Sequence, residues 1–276
     1  MGQRTLGLRK DPAGPAGIIT GAASGIGAAC ATAFGRLGAR LVVAGLSVKE
    51  LRPVVDAVKR AGGRAVPMKC DVRDSDQVAA LPRLAMEEFG RIDVLVASAG
   101  IASHGDAASG DVAEWRAVVE TNLLGLAYSV RAVLPQMYAQ GSGHVFLIAS
   151  QSGRLAYQGE SIYIASKWGV VGFGHAVRME AQSHGVKVTL IEPGLVDTPL
   201  TRLNPKIKPL LGAFTPLTAE DVANAVVYAY IQPPHVTVNE LAVRPLRQGD
   251  DPFKDAGQPD GRTPERRQSK HQRQRS

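Results

Sequence analysis

The chain has 276 residues, of which 45 % are apolar, which is enough for one sizeable core. Only two cysteines are present, and no Cys/His cluster has metal-ligand spacing, so the composition excludes a disulfide framework and predicts no metal site. Of the formal charge of +7, +5 lies in the last fifteen residues, which argues against a nucleic-acid-binding body. No apolar run approaches the ~18 residues of a membrane helix, so we expect a cytoplasmic protein with no membrane partner.

Seven apolar runs predict β-strands in chain order, at 17–20, 40–45, 64–70, 92–98, 143–150, 186–193 and 235–243. Segments of helical period lie between them, at 25–38, 47–61, 74–89, 111–139, 161–184 and 218–231. Strands that are apolar along most of their length are typical of a parallel sheet covered on both faces. We therefore predict an α/β fold, a doubly wound parallel sheet of about seven strands with helices on both faces.

The predicted organisation is a flexible N-terminus (1–14), one domain (15–248) and a disordered basic tail (249–276). The tail is polar, without aromatic residues or an apolar period, so it buries too little surface to fold. A solvated terminus without a partner is the simpler interpretation of this tail. Weak, salt-dependent binding of phosphates is the alternative.

A glycine-rich turn, TGAASGIG, follows the first predicted strand from Thr20 to Gly27. Glycines at 21, 25 and 27 permit a tight turn, and the helix that follows offers unpaired N–H groups and a positive dipole end to a pyrophosphate. A purely structural turn is the alternative for the motif by itself. Its place between strand and helix at the head of a βαβ array favours nucleotide binding.

Near the middle of the chain, SIYIASK places Tyr163 and Lys167 four residues apart, on one face of a predicted helix. Such a pair also occurs by chance on solvated helices. Other motifs accompany it, in order: CDV at 70–72, TNLLG at 121–125, Ser150 thirteen residues before Tyr163, and PGLVDT at 193–198. With these motifs, residues 15–245 resemble the short-chain dehydrogenase/reductase family in its single-domain form.

The resemblance implies a Rossmann-like domain that binds NAD or NADP, with a defined set of cofactor-binding residues. These are Gly21, Ser24, Gly25, Ile26, Gly27, Leu46, Asp71, Val72, Ala99, Gly100, Tyr163, Lys167, Pro193, Gly194, Val196 and Thr198. The chain departs from the family at 97–100, where ASAG replaces the usual NNAG. At the end of the second strand, Gly45 provides no acid to repel a 2′-phosphate, while Leu46 replaces the Arg typical of NADP binding. We therefore favour NADP over NAD only slightly.

The resemblance also implies an NAD(P)-dependent oxidoreductase that acts on a small or medium-sized alcohol or carbonyl compound. In such a reaction Tyr163 is the general acid/base. An unperturbed Tyr has a pKa near 10 and is almost fully protonated at pH 7, so the nearby Lys167 ammonium is expected to favour the phenolate and lower that pKa. Ser150 donates a hydrogen bond to the substrate oxygen, and Asn122 holds a water that links Lys167 to solvent. The alternatives are a strand-end cap for Ser150 and an amide that satisfies a bent helix for Asn122. Asp71 is either an adenine contact or a turn residue.

Substrate-facing residues are expected in Ser103-His104, in 151–158 and in a lid at 195–216. The cations of the lid, Arg202, Lys206 and Lys208, either attract an acidic substrate or are solvated. We expect His104 to be a pocket wall or surface residue. The resemblance further implies a dimer or tetramer that pairs through the helices predicted at 111–139 and 161–184. The paired faces would carry Val119, Leu123, Leu126, Val130, Val170, Phe173 and Val177. Packing of these side chains in the core of one subunit is the alternative explanation of the same pattern.

Two other functions compete with this hypothesis. One is a catalytically idle NAD(P)-binding redox sensor whose basic tail contacts an acidic or nucleic-acid partner, although such a protein does not need Ser150, Tyr163 and Lys167 together. The other is an epimerase or dehydratase, for which the region after Pro216 is too short to form the larger substrate domain.

Overall fold

The computed structural model describes residues 14–204, 207–212 and 214–250 of the chain. Seven strands form one parallel sheet in the order β3-β2-β1-β4-β5-β6-β7. They are β1 (Ala16–Thr20), β2 (Arg40–Gly45), β3 (Arg64–Lys69), β4 (Val94–Ala97), β5 (Gly143–Ile148), β6 (Val186–Pro193) and β7 (Glu240–Val243). The predicted doubly wound parallel sheet is confirmed.

Helices cover both faces of the sheet. They are α1 (Gly25–Gly35), α2 (Val48–Arg60), α3 (Ser75–Phe89), α4 (Val112–Val119), α5 (Leu126–Gln140), α6 (Ser161–Gln182), α7 (Pro199–Arg202) and α8 (Ala219–Tyr230). Two buried apolar clusters follow from this arrangement: α3, α5 and α6 contribute to one, and α1, α2 and α8 to the other. Alternate residues of each strand point into opposite clusters, which explains why the strands are apolar along their whole length.

The helix predicted at 111–139 is interrupted by a π-helical segment, Glu120–Gly125, which separates α4 from α5. The strand predicted at 235–243 is shorter than expected, because side chains of β6 take two of its carbonyls: Lys187 Nζ donates to Val236 O at 2.6 Å and Thr189 Oγ1 to Val238 O at 2.6 Å. Both differences arise from hydrogen bonding that the apolar pattern does not encode.

The continuous helical stretch Val112–Gln140 is long and apolar enough to cross a membrane, judged by length and composition alone. This differs from the expectation that no segment reaches that length. In the fold, its inner face packs on the sheet through Val118, Leu126, Val130, Val133 and Met137, all of them buried.

The predicted termini fall mostly on residues 1–13 and 251–276, which lie outside the described part of the chain. The three remaining residues belong to the fold. Gly14 O accepts a hydrogen bond from the Arg40 guanidinium at 3.2 Å, and Arg244 contacts both Gly249 and Asp250. These residues therefore contact both ends of the predicted domain, and its bounds of 15–248 stay a prediction.

The strand order reverses beside β1, which pairs with β2 on one side and with β4 on the other. At such a switch point the loops that follow the two strands diverge to opposite faces of the sheet and leave a crevice. Among the predicted site residues, Gly21 and Ser24 follow β1, Ala99 and Gly100 follow β4, and Ser150 follows β5, so the topology brings these residues to one edge.

Candidate active site

The turn after β1 is held in shape by its glycines. Gly21 has φ +63°, and a Cβ there would lie 2.6 Å from Ala99 Cα. At Gly27 a Cβ would lie 2.3 Å from Gly21 O. Larger residues are therefore excluded where the turn packs on the loop after β4 and on α1. Helix α1 starts at Gly25, and the side chain of its N-cap residue, Ser24, makes no capping bond, so the first turn presents free N–H donors and a hydroxyl.

A groove of about 440 Å³ opens in front of this turn. Twelve of the predicted cofactor-binding residues line it: Gly21, Ser24, Gly25, Ile26, Leu46, Asp71, Val72, Ala99, Gly100, Tyr163, Lys167 and Thr198. Four do not. Gly27 packs beneath the turn, Pro193 is the last residue of β6, Val196 is buried beside Leu217, and Gly194 lines a second cavity.

Several charged or polar residues of the groove were not anticipated from the sequence, among them Glu50, Arg73 and Thr121. Arg73 donates to both carboxylate oxygens of Asp71, from Nε to Oδ1 at 3.0 Å and from Nη2 to Oδ2 at 2.6 Å. The hydrogen bond with Arg73 holds the pKa of Asp71 below its usual range. Asp71 therefore faces the groove as part of a local ion pair.

Tyr163 lies in the first turn of α6, close to Ser150, which follows β5. Burial raises the pKa of the Tyr163 phenol well above its ordinary value, the negative charge of Glu160 raises it further, and a hydrogen bond with Ser150 lowers it. The Ser150 hydroxyl also accepts from Ser152 N at 3.1 Å. Ser150 therefore caps the short segment that follows β5, and its hydrogen bond to a substrate oxygen stays a prediction.

Lys167 follows Tyr163 by one turn of α6. Its Nζ donates to Ile148 O at 3.0 Å and lies 5.7 Å from the centre of the Tyr163 ring. Burial lowers the pKa of this ammonium to about 8. The sequence predicts a lowered Tyr163 pKa, but burial and Glu160 raise it in this structure, and the hydrogen bond that lowers it comes from Ser150.

Asn122 lies in the π-helical segment and is fully buried. Its amide forms a two-way clamp on the loop after β4, accepting from Ile101 N at 2.8 Å and donating to Ile101 O at 2.9 Å. A weaker bond runs to Ser166 Oγ at 3.2 Å. The amide therefore satisfies loop backbone at Ile101 and not the backbone of its own helix, and the water predicted between Lys167 and solvent stays a prediction.

A second cavity, of about 80 Å³, lies next to the groove. Tyr163 and Leu200 line both spaces. Ser150, Gln151 and Gly194 line the second cavity, as do Thr201 and Leu210 of the predicted lid. Among the described residues no group of three or more His, Cys, Asp or Glu side chains is placed to hold a metal ion.

The family model for short chain dehydrogenases matches residues 16–207. The chain belongs to this family. An uncharacterized oxidoreductase of Staphylococcus haemolyticus is 38 % identical over 233 residues, which cover 84 % of this chain and 98 % of the relative. A glycine betaine reductase of Emericella nidulans is 36 % identical over 250 residues, 88 % of this chain but only 20 % of that protein's length.

Solved structures agree with the family assignment. A metagenomic short-chain oxidoreductase in complex with NADP has a TM-score of 0.73 and 33 % identity, covering 84 % of this chain and 97 % of the other. An alcohol dehydrogenase from the archaeon Thermococcus sibiricus, complexed with 5-hydroxy-NADP, has a TM-score of 0.77 and 26 % identity, covering 85 % and 98 %. This chain is accordingly an NAD(P)-dependent oxidoreductase of the short-chain dehydrogenase family.

Proposed function

We propose that the protein interconverts a small alcohol and its carbonyl compound, with NADP(H) as cofactor and Tyr163 as general acid/base. The observation that supports this best is the position of Tyr163, which lines both the groove and the smaller cavity. A phenol at such a junction can reach a substrate oxygen on one side while remaining next to a cofactor on the other.

The groove fits a dinucleotide in its shape and in its chemistry. A Cβ at Gly21 or Gly27 would collide with neighbouring backbone, so the turn keeps its close-packed form, and the α1 N-terminus and Ser24 supply donors for a pyrophosphate. Asp71 and Val72 would flank the adenine, and Lys167 would hold the ribose of the nicotinamide. When bound, the nicotinamide supplies or takes up the hydride.

The protein's own residues would handle the proton. Tyr163 Oη gives a proton to the substrate oxygen in reduction and takes one in oxidation, and the Ser150 hydroxyl stabilises the charge that develops on that oxygen. Because burial and Glu160 keep the phenol protonated, a positive charge close to Oη is needed before Tyr163 acts as a base. Lys167 and an oxidised nicotinamide are two such charges.

The choice of NADP has two sources of support. The structural neighbours named above are complexed with NADP or with a hydroxy-NADP. In this chain the end of β2 is Gly45, without the carboxylate that would repel a 2′-phosphate, and the Arg73 guanidinium lines the same groove. Glu50 is the lining carboxylate that works against this choice.

The test is titration of the protein with NADPH and with NADH, followed by turnover of a panel of alcohols and carbonyl compounds by wild type and Tyr163→Phe. We expect tighter binding of NADPH, and a loss of at least about a hundredfold in kcat for the variant with cofactor affinity retained. Phe keeps the ring and removes Oη, so folding is preserved. Cofactor binding with no turnover by wild type would contradict the proposal and favour the redox sensor.

A further inference from the structure

A buried carboxylate faces the second cavity, where the sequence did not indicate a site residue. Glu160 is 2 % exposed and lies directly before α6, one turn ahead of Tyr163. One of its oxygens, Oε1, lies 2.7 Å from His104 Nδ1, in an alignment that forms no hydrogen bond. The Tyr157 hydroxyl, which bonds to Ser152, also interacts with this carboxylate.

The polar lining of this cavity is rich in acceptors. Glu160 is the charged side chain among the described residues that line it. Gln151 also lines it, and its Oε1 is buried without a hydrogen-bond partner. Gln151 Oε1 therefore lacks a donor, while the Glu160 carboxylate has His104 Nδ1 and the Tyr157 hydroxyl beside it, and a ligand that carries N–H groups would give both side chains a further donor.

The cations of the lid add no positive charge to the lining of the second cavity. Arg202 is exposed and pairs with Asp197 through two hydrogen bonds, at 2.6 and 2.8 Å. Neither Arg202 nor Lys208 lines the cavity, and Lys206 lies outside the described residues. The cavity wall thus favours a positive ligand over the acidic substrate that the lid sequence suggested.

A negative charge at this place also has a chemical cost. Burying a carboxylate without full hydrogen bonding is unfavourable, and Glu160 opposes ionisation of the Tyr163 phenol, as described above. A cation that enters with the substrate would offset both effects, since it pairs with Glu160 and brings positive charge close to Tyr163.

We propose that the second cavity binds the ammonium group of a small amino alcohol or amino ketone, with Glu160 and Gln151 as its acceptors. This inference rests on the proposed function and gives it a substrate class. In the oxidation of such an alcohol, the carbon-bound hydrogen leaves as hydride to NADP⁺ and the hydroxyl proton passes to Tyr163, which yields the amino ketone and NADPH. Glu160 acts by binding the ammonium and takes no part in that transfer.

A matched pair of substrates tests the proposal. Isopropanolamine and sec-butanol have the same shape, with an ammonium in place of a methyl group. At neutral pH and with NADP⁺, we expect wild type to prefer isopropanolamine in kcat/KM by at least about tenfold, since a charge-assisted pair is lost with the neutral alcohol. In Glu160→Gln this ratio falls to about one, whatever the absolute rates, so partial misfolding does not obscure the result.

His104→Gln provides a second variant, which keeps the carboxylate and removes its basic neighbour. We expect its preference for isopropanolamine to equal or exceed that of wild type. A wild-type preference for sec-butanol, a preference that survives Glu160→Gln, or a preference lost in His104→Gln would each overturn the inference. Calorimetric titration of Tyr163→Phe with NADP⁺ present gives a readout without turnover, and no binding of isopropanolamine there would overturn the inference too. Turnover of other alcohols or ketones in that case would leave the proposed function standing.

Discussion

Lys167 is a residue of the candidate site whose burial lowers the stability of the folded protein at neutral pH. Its ammonium is buried and bonded to Ile148 O, and burial lowers its pKa to about 8 from the ordinary value of 10.5. Between these two pH values the unfolded chain binds more protons than the folded protein, so this group makes the protein more stable as pH rises from 8 to 10.5. At neutral pH the charged lysine is therefore a cost to folding.

The variant Lys167→Met removes this titration. We expect the stability of the variant, relative to wild type, to be greatest at pH 7 and to fall by roughly 3 kcal/mol as pH rises to about 10.5, while activity is lost. Thermal or urea unfolding across this pH range measures the difference without cofactor. Lys59→Met, at an exposed position of α2, controls for the loss of a lysine as such. A constant difference across the range would show that Lys167 titrates as an exposed lysine does.

At the scale of elements, two amide side chains fix the segment around β4 to the helical layer beside it. Asn122 clamps the N–H and C=O of Ile101, after the strand. Gln140, at the end of α5, clamps the N–H and C=O of Ile92, before the strand, at 2.9 and 2.8 Å. The two clamps have the same chemistry, but the one at Ile101 lies beside the groove.

The chemical likeness of the two clamps allows a controlled experiment. Asn122→Ala and Gln140→Ala each leave a backbone donor and acceptor without their partner, so we expect each to lower the free energy of unfolding by about 1–3 kcal/mol. Asn122→Ala should in addition weaken NADPH binding and lower kcat, because Gly100 and Ile101 line the groove. Equal loss of cofactor affinity in both variants would indicate a general effect of destabilisation. Unfolding curves and NADPH titration separate the two results.

The same elements show what the sequence could predict. Apolar runs such as 40–45 and 186–193 gave the strand bounds as the structure has them, because burial on both faces leaves a continuous signal. The π-helical segment left no such signal, since it changes hydrogen-bond partners without changing the apolar period. Glu160 and His104 are 56 positions apart in the chain, and only the fold brings them together at the cavity.

At the scale of the whole molecule, the expected dimer or tetramer stays a prediction. The structure changes which side chains of the two helices are available for the interface. Leu126, Val130, Val170 and Val177, expected on the paired faces, are buried in the core of the subunit. Apolar side chains that remain exposed on this helical layer include Leu124, 40 % exposed, and Trp168, 52 % exposed. An exposed tryptophan is typical of interface centres.

We therefore expect Trp168→Glu to lower the oligomeric state, because burying a carboxylate at the centre of an apolar interface without a partner is strongly unfavourable. Light scattering coupled to size exclusion should show a smaller species than wild type. Tyr228→Glu is the matched control, since it places the same charge on α8, in the opposite helical layer, at a side chain of similar exposure. A wild-type protein that is already monomeric, or a Trp168→Glu variant of unchanged mass, would contradict the prediction. Trp168 directly follows Lys167, so a dimer formed there would also restrain the helix that holds Tyr163.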